Sequence, residues 1–343
     1  GVDLAPVKVG VLDAFHKDQW HDDLPATQEL SKFISPFPML QKCAGDAGCT
    51  EEESDEEDKA MKRQSHGLHV SGTIATRAHE PEGSQGQPKV RGVAPTAELV
   101  IASPQDLWYV GKAGNGKNSN GKRYSDTYSY ASCISFLAGK GSQVINMSIG
   151  WSDGHGPDAL ERRLWNPGAV VQQWAEALSQ WEKIRNTFPS LFGSSSFLVV
   201  KAAGNEACTD VDVRAFKDDP ESERKCESPG APDVSEKDGR GELKAYASEM
   251  AENGQPQLQE VLITVGAASR MLPGFGDGPG LEVASYSNAG ADVLAPGTNI
   301  RSLVDYHVWH GQGTDGTDTW DGTSMAAPHV AGLAAVLFAI NPE

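Results

Sequence analysis

The chain has 343 residues, is 38% hydrophobic, and carries 47 Asp and Glu against 29 Lys and Arg, for a formal charge of −18. A surface this acidic repels nucleic acid and anionic membranes and favours basic substrates or partners. No run of 18 apolar residues marks a membrane span, and the length suits a single large core while permitting two domains. No signal peptide is read, and the chain opens with Gly rather than Met, as a processed or engineered start would.

In chain order, Lys8-Val9-Gly10-Val11-Leu12-Asp13 predicts a short apolar strand ending in a carboxylate. Open α/β sheets place their sites at such strand ends, although a strand-end Asp also serves as a turn former. Residues 34–64 hold Cys43 and Cys49, then the acidic run 51–58, which predicts a solvated loop. In His66-Gly67-Leu68-His69-Val70-Ser71-Gly72-Thr73, small residues permit close packing and His66 stands at a helix start. A helix N-terminus disfavours the imidazolium, so His66 is expected neutral and able to accept a proton. Taken singly, a His is as a rule structural.

Further apolar strands are predicted over 98–103, 143–148, 197–203, 262–267 and 292–294. Residues 104–128, rich in Gly, Asn, Ser and Lys, predict a mobile loop. The clearest helix runs from about 169 to 188, with Val170, Trp174, Ala177, Leu178, Trp181 and Ile184 at helical spacing and its tryptophans expected to face the core rather than a ligand. Phe197 to Ala203 runs into the turn Gly204-Asn205, and the polar insertion 207–258 with Cys208 and Cys226 follows. The alternation of strands and helices predicts an α/β fold, a doubly wound, mainly parallel sheet flanked by helices with right-handed crossovers.

Gly322-Thr323-Ser324-Met325-Ala326-Ala327-Pro328-His329-Val330-Ala331-Gly332 places a serine at the mouth of a helix. Thr323 and Ser324 suit its start, and Pro328 is expected in the first turn, where a missing N–H costs least. Residues 330–340 are almost wholly apolar, so the helix is expected to pass through a core. Free N–H groups and the positive end of the helix dipole favour negative charge developing beside Ser324. A simple N-cap is the plain alternative.

These segments together resemble the subtilisin-like serine proteases, the subtilases of peptidase family S8. The order Asp13, His66, Ser324 matches the family's triad order. The serine motif is an almost complete match. Leu68 stands where the family usually has Thr, and Ala14-Phe15 follow Asp13 where it has Ser or Thr and then Gly, while His21-Asp22-Asp23-Leu24 continues as the family does. The resemblance implies that Asn205 and the Ser324 N–H form the oxyanion hole. It also implies that Ser148, Ile149 and Gly150 form one wall of the specificity pocket, facing Ala202, Ala203 and Gly204. Gly92-Val93-Ala94-Pro95, Ala284-Ser285-Tyr286-Ser287-Asn288 and Leu294-Ala295-Pro296-Gly297 extend it over most of the chain.

The expectation is one catalytic domain over 1–343 with insertions near 34–64, 104–128 and 207–258, without the family's C-terminal segment. Its implied activity is serine endopeptidase hydrolysis of protein or peptide substrates through an acyl-enzyme, with the insertions narrowing substrate choice. A pro-segment ahead of Gly1, since removed, is implied. Three alternatives stand beside this: a pseudoprotease kept as a binding module, a peptide ligase or cyclase using the same acyl-enzyme, and a scaffold acting through its acidic insertions. The chemistry calls for no cofactor. Asp23 matches a structural-calcium position in the family, but residues 79–91 replace the usual ligand loop, so no metal ligand set is assigned. Five cysteines allow Cys43–Cys49 and Cys208–Cys226 as sequence-local disulfides, with Cys133 left over. That pairing suits a secreted or otherwise extracytoplasmic protein; reduced cysteines in a cytoplasmic enzyme are the alternative.

Overall fold

A computed structural model describes residues 6–13, 15, 24, 65–77, 90–102, 130–149, 167–188, 198–205, 260–270, 280–288, 291–304 and 316–341. The three predicted insertions, Asp23, Gly150 and the cysteines 43, 49, 208 and 226 lie outside these residues.

Five parallel strands form the centre: β1 (Lys8–Leu12), β2 (Glu98–Ala102), β3 (Val144–Met147), β4 (Leu198–Ala202) and β5 (Leu262–Arg270), in the order β2-β1-β3-β4-β5. All four pairings along this path are parallel. Their interiors are buried almost throughout, because helices cover both faces of a parallel sheet and no side of the strand is left for polar residues. Two shorter strands extend the sheet from β5: β6 (Leu281–Val283), antiparallel, and β7 (Val293–Pro296), parallel. A separate hairpin pairs β8 (Ile300–Leu303) with β9 (Thr317–Trp320).

Four helices flank the sheet: α1 (His66–Ala75), α2 (Tyr130–Gly139), α3 (Pro167–Thr187) and α4 (Thr323–Ile340). α1 and α4 pack on one face, where Val9, Val11, Val200, Val265, Leu68, Val70, Ala327 and Ala331 join one core. α2 and α3 cover the other, where Leu12, Ile145, Met147 and Val199 meet Ile134, Leu137 and Leu178. Cys133 is a buried thiol in this second layer.

α3 forms where expected, while two expectations for α4 need correction. α3 starts at Pro167, a residue suited to a first helical position, and its Ile184 faces out while Trp181 packs partly against the core. Trp181 can pack there because Gly139 of α2 leaves room beneath its ring. α4 starts at Thr323, so Pro328 falls in the second turn and removes the bond that its N–H would give to the Ser324 carbonyl. Only one side of α4 is core. Leu333, Leu337 and Ile340 are exposed, because the sheet covers the stripe through Ala327, Ala331 and Ala335 and not its opposite side. By length and composition alone α4 could cross a bilayer, yet half of it is buried inside the protein.

The strand order reverses between β1 and β3, each next to the other while their crossovers run to opposite sides. Crevices at such switch points, beyond the carboxyl ends of the strands, are where open α/β sheets bind ligands. Asp13 follows β1 there and Ser148 follows β3.

Candidate active site

Asp13 is buried directly after β1, and its backbone N–H bonds the Ala102 carbonyl, which extends the β1–β2 ladder by one residue. Its carboxylate Oδ1 lies 2.6 Å from Nδ1 of His66. The His66 side chain is 26% exposed and Asp13 1%, so the pair has a buried acid and an imidazole that reaches solvent. Burial works against the imidazolium, but the Asp13 charge and hydrogen bond outweigh it, and the His66 pKa is raised above 6.5. The helix terminus is expected to favour the neutral ring; the Asp13 carboxylate acts in the opposite direction. A carboxylate in contact acts more strongly than a screened half-charge.

His69, one turn on, is fully buried. Its Nε2–H donates to the Ile300 carbonyl at 3.1 Å and the Asp318 carbonyl at 3.2 Å, which ties α1 to both strands of the hairpin. Desolvation and then the His66 charge lower its pKa to about 3; the two carbonyls raise it by less, and His329 adds a still smaller lowering. Trp320 stacks on His69 with ring centroids 4.5 Å apart and an interplanar angle of 5°. It also lies 6.2 Å from His66 at 22°. Its indole N–H is held by Asp318 at 2.6 Å. Sequence reasoning missed this aromatic; its signal was its place immediately before the Asp-Gly-Thr-Ser turn.

Ser324 is the second residue of α4 and half-buried. Its hydroxyl donates to the Ser148 carbonyl at 3.0 Å, and the Ser148 hydroxyl donates back to the Ser324 carbonyl at 2.8 Å. Asn146 donates in turn to the Ser148 hydroxyl at 2.9 Å. Asn146, which heads a glycosylation sequon, is wholly buried in β3.

Asn205 follows Gly204, whose φ of 99° lies in the region that favours glycine. The Asn205 Oδ1 accepts from the Thr323 N–H at 2.8 Å and the Thr323 hydroxyl at 2.9 Å, while that hydroxyl accepts the Gly204 N–H at 3.0 Å. A backbone N–H can only meet the oxygen of the amide, so Nδ2 is turned the other way. Gly322, at φ 154°, completes the arrangement. A Cβ built there would stand 3.5 Å from the Asn205 Nδ2 and 3.6 Å from the Ser324 backbone N. Both predicted oxyanion donors thus flank one volume that glycine leaves empty.

The predicted pocket residues Ser148, Ile149, Ala202, Ala203 and Gly204 all lie at the carboxyl ends of β3 and β4. Among the described residues no group of three or more His, Cys, Asp or Glu is arranged to hold a metal ion.

A doubly wound sheet with a serine near the start of one helix, an Asp–His pair at the end of β1 and an Asn turn beside the serine belongs to the subtilisin-like class of hydrolase. Residues 6–343 match the model of the subtilase family, and the chain belongs to that family of serine proteases. It is 26% identical to the major intracellular serine protease of Bacillus subtilis over an alignment covering 100% of this chain and 72% of that protein. A subtilisin-like protease of Coccidioides posadasii is 39% identical over 96 residues, 27% of this chain and 20% of that protein. The match to subtilisin-like protease 1 of Plasmodium falciparum spans 7% of that protein, at 43% identity over 58 residues. The aligned part is thus a small share of these last two relatives. The A-subunit of the AB5 toxin from E. coli shares the fold, with a TM-score of 0.52 at 20% identity over 98% of this chain and 79% of that one.

Proposed function

We propose that this protein is a serine endopeptidase acting through Asp13, His66 and Ser324 with an acyl-enzyme intermediate. The observation that carries the reading is the 2.6 Å contact of the buried Asp13 carboxylate with the partly exposed His66, on the same side of the sheet as the start of α4. Asp13 fixes Nδ1 of His66 as the protonated nitrogen and leaves Nε2 to act as base. The Ser324 hydroxyl turns from the Ser148 carbonyl toward His66, which takes its proton as Oγ bonds the substrate carbonyl carbon. The oxyanion formed accepts from the Asn205 Nδ2 and the Ser324 N–H. His66 then returns the proton to the leaving amine as the C–N bond breaks. Water repeats the sequence: His66 takes its proton, hydroxide attacks the ester, and Ser324 leaves reprotonated.

Peptide substrates would lie between the Ser148–Gly150 and Ala202–Gly204 walls. The acidic surface favours basic substrates. The test is intact-mass analysis after treatment with a fluorophosphonate, which transfers its phosphonyl group to an activated serine and loses fluoride. One adduct on the parent, absent from Ser324→Ala and much reduced in His66→Ala, supports the reading. A folded parent that takes no adduct overturns it.

A further inference from the structure

Lys201 is the one charged residue of β4, and it is fully buried. In register it stands beside Met147 of β3 and Thr264 of β5, so its side chain leaves the sheet on the face covered by α2 and α3. Its ammonium donates to the Ile149 carbonyl and to the Ala202 carbonyl, the latter at 3.1 Å. An apolar side chain would fill this space without the cost of taking an ammonium out of water. What lysine adds here includes two bonds, one to the backbone of each segment.

Their position gives them meaning. The β3–β4 ladder ends at the pair Met147 and Lys201. Beyond it the two segments no longer pair, and they carry the residues assigned to the two walls of the substrate cleft. Ile149 belongs to one wall and Ala202 to the other. Lys201 therefore spans the fork just where backbone hydrogen bonding between the walls stops.

We propose that Lys201 is a specificity-determining residue, a strut that sets the spacing of the two cleft walls and so the size of substrate side chain the cleft accepts. The proposal rests on the protease reading above. Lys201 touches neither substrate nor reacting atoms; it acts through the Ile149 and Ala202 backbones.

The test compares the parent with Lys201→Met and Lys201→Gln in a peptide library varied at the residue before the cut. Rates are taken per fluorophosphonate-labelled site, so that misfolded molecules are not counted. Lys201→Met is expected to raise KM about tenfold for the parent's preferred peptide, a loss of roughly 1.4 kcal/mol of binding. Turnover of a small ester that leaves the pocket empty is expected to stay unchanged, and the library preference to broaden toward larger side chains. Lys201→Gln retains an N–H₂ group on a shorter arm and is expected to broaden less. If Lys201→Met fails to fold, the glutamine variant decides by the same measure. A labelled, folded variant with the parent's KM and the parent's preference overturns the proposal alone. A parent that takes no label overturns the protease reading and this inference with it.

Discussion

Ser148 and Ser324 hydrogen-bond each other in both directions, hydroxyl to carbonyl, at 2.8 and 3.0 Å. The Ser324 carbonyl is open to Ser148 because Pro328, four residues on, has no N–H to give it. Removing the Ser148 hydroxyl leaves that carbonyl without its side-chain donor, at a cost of about 1–3 kcal/mol. Ser148→Ala is therefore expected to lower the midpoint of chemical denaturation. In a Pro328→Ala background the helix supplies an N–H of its own, and Ser148→Ala is expected to cost much less. A double-mutant cycle reads the coupling, and additive effects would mean the proline does not open that carbonyl.

Rate and pH should both respond to Asp13. Catalysis needs His66 neutral, and its raised pKa predicts that kcat/KM climbs with pH through a midpoint above 6.5. Asp13→Asn removes the charge that raises the pKa and leaves desolvation, which lowers it. Turnover is expected to fall by about 10⁴-fold, and the residual activity to climb at a lower pH than in the parent. The same pair has a stability consequence. Its contribution is full below pH 6.5 and is lost as pH rises through the raised folded pKa. A pH–rate profile of the two proteins is the check; an unmoved midpoint would count against Asp13.

Around the oxyanion volume, Asn205→Ala is expected to lower kcat by about 10²–10³-fold with little change in KM. Thr323→Val, which takes one of two donors from the Asn205 oxygen, should cause a smaller drop of the same kind. Gly322→Ala puts a methyl group beside both oxyanion donors at a backbone angle that only glycine adopts freely, at about 1–3 kcal/mol. Single-turnover kinetics on an ester substrate would separate these effects from product release.

Acid should act on the fold through His69. Its unfolded pKa is 6.5 and its folded value about 3, so below pH 6.5 the unfolded chain binds the proton that the folded one refuses. Stability from this group is complete above pH 6.5 and falls as pH drops toward 3, by about 1.4 kcal/mol for each pH unit crossed. His69→Gln is expected to flatten the unfolding free energy against pH between 6.5 and about 4. A variant with the parent's slope would move the acid sensitivity to other groups.

The strands of the central sheet were legible because parallel strands buried on both faces spell continuous apolar runs, as Val9–Leu12 and Leu99–Ala102 do. β6, β8 and β9 were not. They are short, and Thr317-Asp318-Thr319-Trp320 has neither alternation nor an apolar run. The positions of Asp13, His66, Ser324 and Asn205 at element ends followed from local signals and from family resemblance. The direction of the His66 shift needed the geometry, because the helix start is visible in its own sequence whereas the closeness of the Asp13 carboxylate, 53 residues away, is not. Lys201 was visible as a charge inside an apolar strand, but which carbonyls it meets depends on where β3 ends. The outward Leu333, Leu337 and Ile340 escaped for a similar reason: an apolar helix does not announce how much of it the sheet will cover.

The site joins β1, the first described element, to α4, the last, with β3 and β4 between them. Almost every contact that builds it is remote along the chain, and topologies of this kind fold slowly because loop closure precedes the gain. Reactivity at Ser324 therefore reports completion of the whole sheet. During refolding, fluorophosphonate labelling should appear only after the bulk of the helical signal has returned, with no labelled species in which β1 is still unpaired.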